Sequence, residues 1–238
     1  AERPSFGQVR ELVRTVPASG AIVYPAGDAA VATVRGMGMW SRGRPFTVDC
    51  AGGEWNARLS QPDGSAFVLG DRDDACSVAL EWQHKGRHNV SNALAAAALA
   101  ETVGISLERS GAALRDFRGV KRRLELLGCI AGVSVYDDFA HHPTAIEVTL
   151  QGLGAAKVDG RIVAVIEPRS NTMRLGAHRE RLPECTRDAD LVLWFQPPGV
   201  DWDLESVARA SATPSRVYQS TGAIIDALVE ELRPGDQV

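Results

Sequence analysis

Apolar residues recur at helical spacing at the start of the chain, where Phe6, Val9, Leu12 and Val13 share one face. The run Ala21-Ile22-Val23-Tyr24 reads as a short buried strand, and Asp28 is placed to cap a helix reaching Val34. Between Met37 and Trp82 the period shortens. Strands are predicted over 46–48, 55–59, 66–69 and 77–82, separated by turn signals such as Pro62-Asp63-Gly64, and together they read as a small antiparallel meander. An alanine-rich helix follows from about Val90 to Val103, closed by Gly104. Ser106 suits the cap of a further helix that presents Leu107, Leu114 and Phe117.

The polar, basic stretch Arg118-Gly119-Val120-Lys121-Arg122-Arg123 is the best boundary in the sequence, dividing it into 1–119 and 120–238. Beyond it, 124–130 and 133–136 form a hairpin around Ala131-Gly132, and a helix runs from Thr144 to Leu153 with Pro143 in its first turn. Strands at 162–166, 191–195 and 217–218 alternate with helices, the last over 224–232. That alternation signals βαβ units and a mostly parallel sheet, so the fold class is α/β with a Rossmann-like second part.

Composition narrows the function classes. The chain has 238 residues, 45% hydrophobic and 24% charged, with a net charge of −4. That is ordinary for a globular protein, and the negative balance argues against a general nucleic-acid binder. No apolar run approaches the length of a membrane span, and the first residues carry no hydrophobic signal segment, so a cytoplasmic location without membrane association is expected. Cys50, Cys76, Cys129 and Cys185 are scattered with no CxxC pair, which favours buried, reduced thiols over a zinc site. There is no initiator Met, and 233–238 reads as a helix exit followed by the start of a strand, so a piece of a longer protein is expected.

Two polar segments leave the carboxyl ends of predicted strands, where ligands bind in open α/β sheets. The first, Asp137-Asp138-Phe139-Ala140-His141-His142-Pro143, sets two carboxylates and two imidazoles ahead of a helix. A helix N-terminus favours anions, so this loop suits a phosphate; the plain alternative is that Asp138 or His142 only caps the helix. A metal site is a third reading, weakened because His141 and His142 are adjacent and not spaced four apart. The second, Glu167-Pro168-Arg169-Ser170-Asn171-Thr172-Met173-Arg174, carries two guanidinium forks suited to carboxylates or phosphates; the alternative is a solvated loop. Asn89 and Asn92 lie three apart at the start of the alanine helix, where Asn89 would otherwise be an N-cap. Arg122-Arg123-Leu124-Glu125 sits at the boundary, where a charged linker is the alternative.

In this order and spacing the segments resemble the Mur ligase family. The matching pieces are His88-Asn89-x-x-Asn92-Ala93 with its helix, then Arg123-Leu124-Glu125, then Asp138-Phe139-Ala140-His141-His142-Pro143-Thr144. The stretches 136–146 and 167–173, with Leu12-Val13-Arg14-Thr15-Val16-Pro17, resemble one branch of the family. That branch joins UDP-N-acetylmuramate to the murein tripeptide L-alanyl-γ-D-glutamyl-meso-diaminopimelate in peptidoglycan recycling. The resemblance implies that 1–119 is the later part of a central ATPase domain and 120–238 a Rossmann-like substrate domain. It implies an ATP-dependent, magnesium-requiring ligation through an acyl phosphate. Asn89, Arg123 and Asp138 would meet ATP; Asp138, His141 and Arg123 would serve catalysis; Arg169, Ser170, Asn171, Arg174 and His142 would hold the peptide. The family's Gly-Lys-Thr/Ser phosphate loop is absent from these residues. The principal magnesium ligands are therefore expected elsewhere, no metal site is expected here, and the 238 residues alone are expected to be inactive. Other readings are a family member that adds single L-alanine, a metal-dependent hydrolase using Asp137, Asp138, His141 and His142, and a non-catalytic nucleotide- or peptide-binding module.

Overall fold

The computed structural model describes residues 6–71, 73, 75–156 and 159–238. The chain divides into two compact units, one ending at Arg118 and the other spanning Gly119–Val238.

The first unit contains α1 (Phe6–Thr15), β1 (Ala21–Pro25), α2 (Ala29–Gly36), β2 (Arg42–Val48), β3 (Trp55–Leu59), β4 (Ala66–Asp71), β5 (Ser77–Glu81), α3 (Arg87–Glu101) and α4 (Leu107–Arg115). The strands form one sheet in the order β1-β2-β3-β4-β5. Only β3, β4 and β5 make the expected antiparallel meander; β2 runs parallel to both β1 and β3. The cause is the 49–54 connection, which doubles back and puts Phe46 beside Trp55. Asp49 adopts a left-handed φ of 52°, and a Cβ at Gly53 would lie 2.4 Å from the Trp55 carbonyl oxygen, so only glycine fits that return.

The core of this unit is set by alternation. In β5, Val78 and Leu80 point inward while Ser77, Ala79 and Glu81 face water. Phe46, Trp55, Phe67, Leu69 and Leu80 pack under Val90, Leu94 and Ala97 of α3, where alanines let helix and sheet approach. Burying one such large side chain contributes about 1.5–3 kcal/mol. Asp28 caps α2 by accepting the Ala30 and Val31 N–H groups at 2.8 and 3.0 Å, and Ser106 caps α4. α1 forms as expected, with none of its residues buried. Two expectations are corrected: β1 buries only Tyr24, because it is an edge strand, and Phe117 lies beyond α4 and is exposed.

The second unit contains β6 (Glu125–Ile130), β7 (Val133–Asp137), α5 (Pro143–Ala156), β8 (Val163–Ile166), α6 (Asn171–Arg174), α7 (Leu182–Cys185), β9 (Leu191–Phe195), α8 (Leu204–Ala210), β10 (Ser215–Tyr218) and α9 (Thr221–Glu231). β6 and β7 form the expected hairpin, turned by Ala131 and Gly132, both at positive φ. β8, β9 and β10 form a parallel sheet in the order β10-β9-β8. Gln237 bridges in parallel to both Ser134 and Ile162, so β7 runs in the same direction as the sheet. α5, α7 and α8 cover one face through Ile146, Leu150, Leu182 and Leu204, packed on Ile162, Val192 and Trp194. On the other face, Ile224 of α9 meets Val163, Leu191 and Leu193.

All four cysteines are free thiols, but only Cys185 is buried, which corrects the expectation of buried thiols. Among the described residues no helix is long and apolar enough to cross a membrane.

Candidate functional site

Three segments of the second unit leave the carboxyl ends of parallel strands: 138–142 after β7, 167–170 after β8 and 196–203 after β9. The first two meet around a cavity of about 250 Å³ lined by Arg122, Asp138, His141, Glu167 and Arg169 together with apolar side chains such as Leu150 and Ile166.

Asp138 organises this corner. Its carboxylate accepts the N–H of Leu124 and of Ala140, each at 2.7 Å, with Thr149 Oγ1 at 3.4 Å. It is not the N-cap of α5. Through Leu124 it holds the turn in which Arg122 and Leu124 take left-handed φ values of 60° and 51°. The Phe139 N–H closes the same turn on the Arg122 carbonyl, and Glu125 accepts the Arg122 N–H. Arg122 is paired to Asp137 at 3.0 Å. Arg123 is exposed, its guanidinium 5.7 Å from the Phe139 ring centroid. The boundary arginines are therefore a built turn and not a solvated linker.

The two histidines take opposite roles. His141 Nδ1 lies 2.8 Å from the Phe139 carbonyl oxygen, which only accepts, so Nδ1 carries the proton. In the neutral ring Nε2 is then the basic nitrogen, on an exposed side chain. His142 Nδ1 instead accepts the Thr144 N–H at 3.3 Å, so His142 caps α5. Its ring meets His178 edge-on, centroids 4.4 Å apart.

The 167–174 segment is not the open loop expected. Asn171–Arg174 forms the short α6, and Ser170 is its N-cap, accepting the Met173 N–H at 3.4 Å. Ser170 Oγ also donates to the His141 carbonyl at 3.1 Å, joining the two loops. Arg169, Asn171 and Arg174 are all exposed, and Arg174 donates to the Pro198 carbonyl at 3.2 Å. To the residues named from the sequence, the structure adds His178 and Trp202. The aromatic between Asp201 and Asp203 was a usable signal, since a large ring in a polar segment needs a partner.

In the first unit, Asn89 is not the cap of α3. The helix begins at Arg87 behind Gly86, and the Asn89 amide donates back to the Lys85 carbonyl at 2.7 Å. That turn is also held by Lys85 on Asp63. Burial pushes the Asp63 carboxyl up, but Lys85 and Ser65 outweigh it and hold it below its usual range. The structure thus places Asn89 in one unit and Arg123, Asp138, His141, His142 and the 169–174 residues in the other. Among the described residues, no three His, Cys, Asp or Glu side chains converge as metal ligands.

The parallel sheet with polar loops at its carboxyl ends makes the second unit a domain of the α/β class. Residues 122–238 match the family described as Mur ligase, glutamate ligase domain, and belong to that family. It is 39% identical over 234 residues to an Escherichia coli protein described as UDP-N-acetylmuramate–L-alanyl-γ-D-glutamyl-meso-2,6-diaminoheptandioate ligase, covering 97% of this chain and 50% of that protein. It is 35% identical over 233 residues to the Haemophilus influenzae protein of the same description, with coverage of 97% and 50%. Among solved structures, a murein peptide ligase from Psychrobacter arcticus superposes with a TM-score of 0.71 at 36% identity, covering 98% of this chain and 50% of that one. The chain spans about half the length of the curated relatives it matches.

Proposed function

We propose that the protein carrying this chain is a cytoplasmic, ATP-dependent ligase that joins UDP-N-acetylmuramate to the murein tripeptide in peptidoglycan recycling. The observation that supports it is similarity extending through both units, over 97% of the chain, to two relatives described as ligases of that tripeptide. A carboxylate is a poor acyl donor, so the muramate carboxylate oxygen takes the γ-phosphoryl group of ATP and ADP leaves. The peptide amine, having lost its proton, then attacks the acyl carbon. The C–N bond forms as the C–O bond to phosphate breaks, releasing inorganic phosphate. Orientation and charge neutralisation supply most of the acceleration in such transfers.

Each candidate side chain has a role in this reading. Asn89 retains its amide oxygen for the adenine. Arg123 offers an exposed cation to the nucleotide, and Asp138 keeps the Arg123 turn in place. The Nε2 of His141 is suited to accept a proton from the attacking ammonium. Arg169 and Asn171 hold peptide carboxylates, with Ser170, His142 and Arg174 holding the loop that presents them. Magnesium enters only as the ion accompanying ATP, neutralising its phosphates.

The test is ligation by the natural enzyme containing this chain, given ATP, magnesium, UDP-N-acetylmuramate and either tripeptide or L-alanine, with the product weighed by mass spectrometry. A tripeptide adduct is expected. An alanine adduct in its place would reassign the substrate. The 238 residues alone, which lack a Gly-Lys-Thr/Ser loop, are expected to release no ADP.

A further inference from the structure

We propose that Trp202 is a positioning residue that sets the place of the Arg169–Asn171 segment for the incoming acceptor; this deepens the ligase reading and rests on it. α6 has four residues, too few to persist as an isolated helix. The Leu175, Gly176 and Ala177 N–H groups meet the Asn171, Met173 and Thr172 carbonyls within the turn. Trp202 adds a tie from outside: its single indole N–H is shared between the Met173 and Arg174 carbonyl oxygens, 3.0 Å from each. The chain then turns at Gly176, at a φ of +68°, directly against the indole. A Cβ there would sit 3.1 Å from the ring carbons Cγ and Cδ1, a tight contact, and the positive φ favours glycine where the loop lies on the tryptophan. Arg174 fastens the same two segments a second time through the Pro198 carbonyl.

The other end of α6 is held as well, by the Ser170 cap and its bond to the His141 carbonyl. The short helix is thus tied at one end to the loop after β7 and at the other to the segment after β9. Underneath, Met173 is buried in the core. Held in this way, Arg169 and Asn171 project from a fixed platform, exposed to the acceptor. A connection between strands needs no such fixing; a platform for recognising carboxylates does.

The experiment compares Trp202→Phe with Trp194→Phe in the natural enzyme. Trp194 is a fitting control, because its indole is fully buried and its N–H has no hydrogen-bond partner. Trp202→Phe removes the donor and is expected to raise the acceptor KM about three- to tenfold, within the range of a lost hydrogen bond. The ATP KM should stay within twofold and kcat within threefold. Trp194→Phe should lower Tm and leave the acceptor KM within twofold. Should the enzyme take L-alanine instead of the tripeptide, the substrate assignment fails and the same split is read on L-alanine. Amide exchange of Leu175, Gly176 and Ala177, measured on the 238-residue chain, is expected to be at least tenfold faster in Trp202→Phe. Unchanged exchange, an acceptor KM within twofold of wild type, or an equal rise in the Trp194 variant would each overturn the proposal.

Discussion

Asp138 accepts the backbone N–H of Leu124 at 2.7 Å across fourteen residues of chain, and its other oxygen takes the Ala140 N–H at the same distance. One side chain thereby joins the start of β6 to the loop after β7. An asparagine offers only one acceptor oxygen to these two donors, so Asp138→Asn leaves one N–H unmet and turns an NH2 group towards the backbone. Leaving such a donor unsatisfied costs about 1–3 kcal/mol. Urea unfolding of the 238-residue chain should show a loss of that size. An unchanged midpoint would mean that the Arg122–Leu124 turn holds itself.

The same corner shows what was legible in the sequence and what was not. Period and caps located β5, α2, α4, the hairpin and the parallel strands, because those signals are local. The parallel pairing of β2 with β3 was not legible, since it depends on how tightly the 49–54 return closes over Gly53. At the site, residue types marked the two polar loops, and the structure brings Asp138, His141 and Arg169 to one cavity. Which of them is committed to backbone was not legible. Ser170, His142 and Arg174 read from the sequence as ligand-facing polar residues, and each donates to or accepts from a main-chain group instead. Such bonds join segments tens of residues apart and leave no periodic trace.

Thiol reactivity should separate Cys185 from the other cysteines. It is buried, and burial, with the Glu147 charge, pushes its pKa up to about 12. The thiolate is the reactive form, so the native protein should withhold this thiol from a neutral-pH disulfide reagent. Cys50, Cys76 and Cys129 are exposed and should react quickly. Three equivalents in the fast phase, with the fourth released only by denaturant, is the expected titration. Four fast equivalents would show that the α7 region opens readily.

The end of the described chain carries a pH-dependent tie. Burial pushes the Asp236 carboxyl up, but Arg161 and the Arg161 and Arg233 N–H groups outweigh it and hold it below the usual carboxylate range. A depressed folded value contributes stability above the unfolded pKa of about 3.9 and loses it as pH falls through the folded value. Asp236→Asn should therefore be less stable than wild type at neutral pH, and the gap should narrow below about pH 4. Denaturant curves at several pH values would check this. A gap that stays constant down to pH 3 would assign the loss to packing instead of charge.

The two arginines after β8 should not contribute equally to acceptor binding. Both are exposed, but Arg174 already spends a guanidinium N–H on the Pro198 carbonyl, while Arg169 lines the cavity that Asp138 and His141 share. A charge-assisted hydrogen bond contributes about 1.5–3 kcal/mol, so Arg169→Ala should raise the tripeptide KM by roughly ten- to a hundredfold. Arg169→Lys should recover only part of this, because an ammonium cannot reproduce the planar two-pronged contact. Arg174→Ala should act by loosening α6, with a smaller rise in KM and a measurable loss of Tm. ATP and UDP-N-acetylmuramate should retain their KM values in all three variants. Steady-state kinetics on the natural enzyme, one substrate varied at a time, gives the comparison. If Arg174→Ala proves the more damaging to peptide KM at unchanged Tm, then Arg174 leaves Pro198 to meet the peptide, and the roles of the two arginines are the reverse of those argued from their hydrogen bonds.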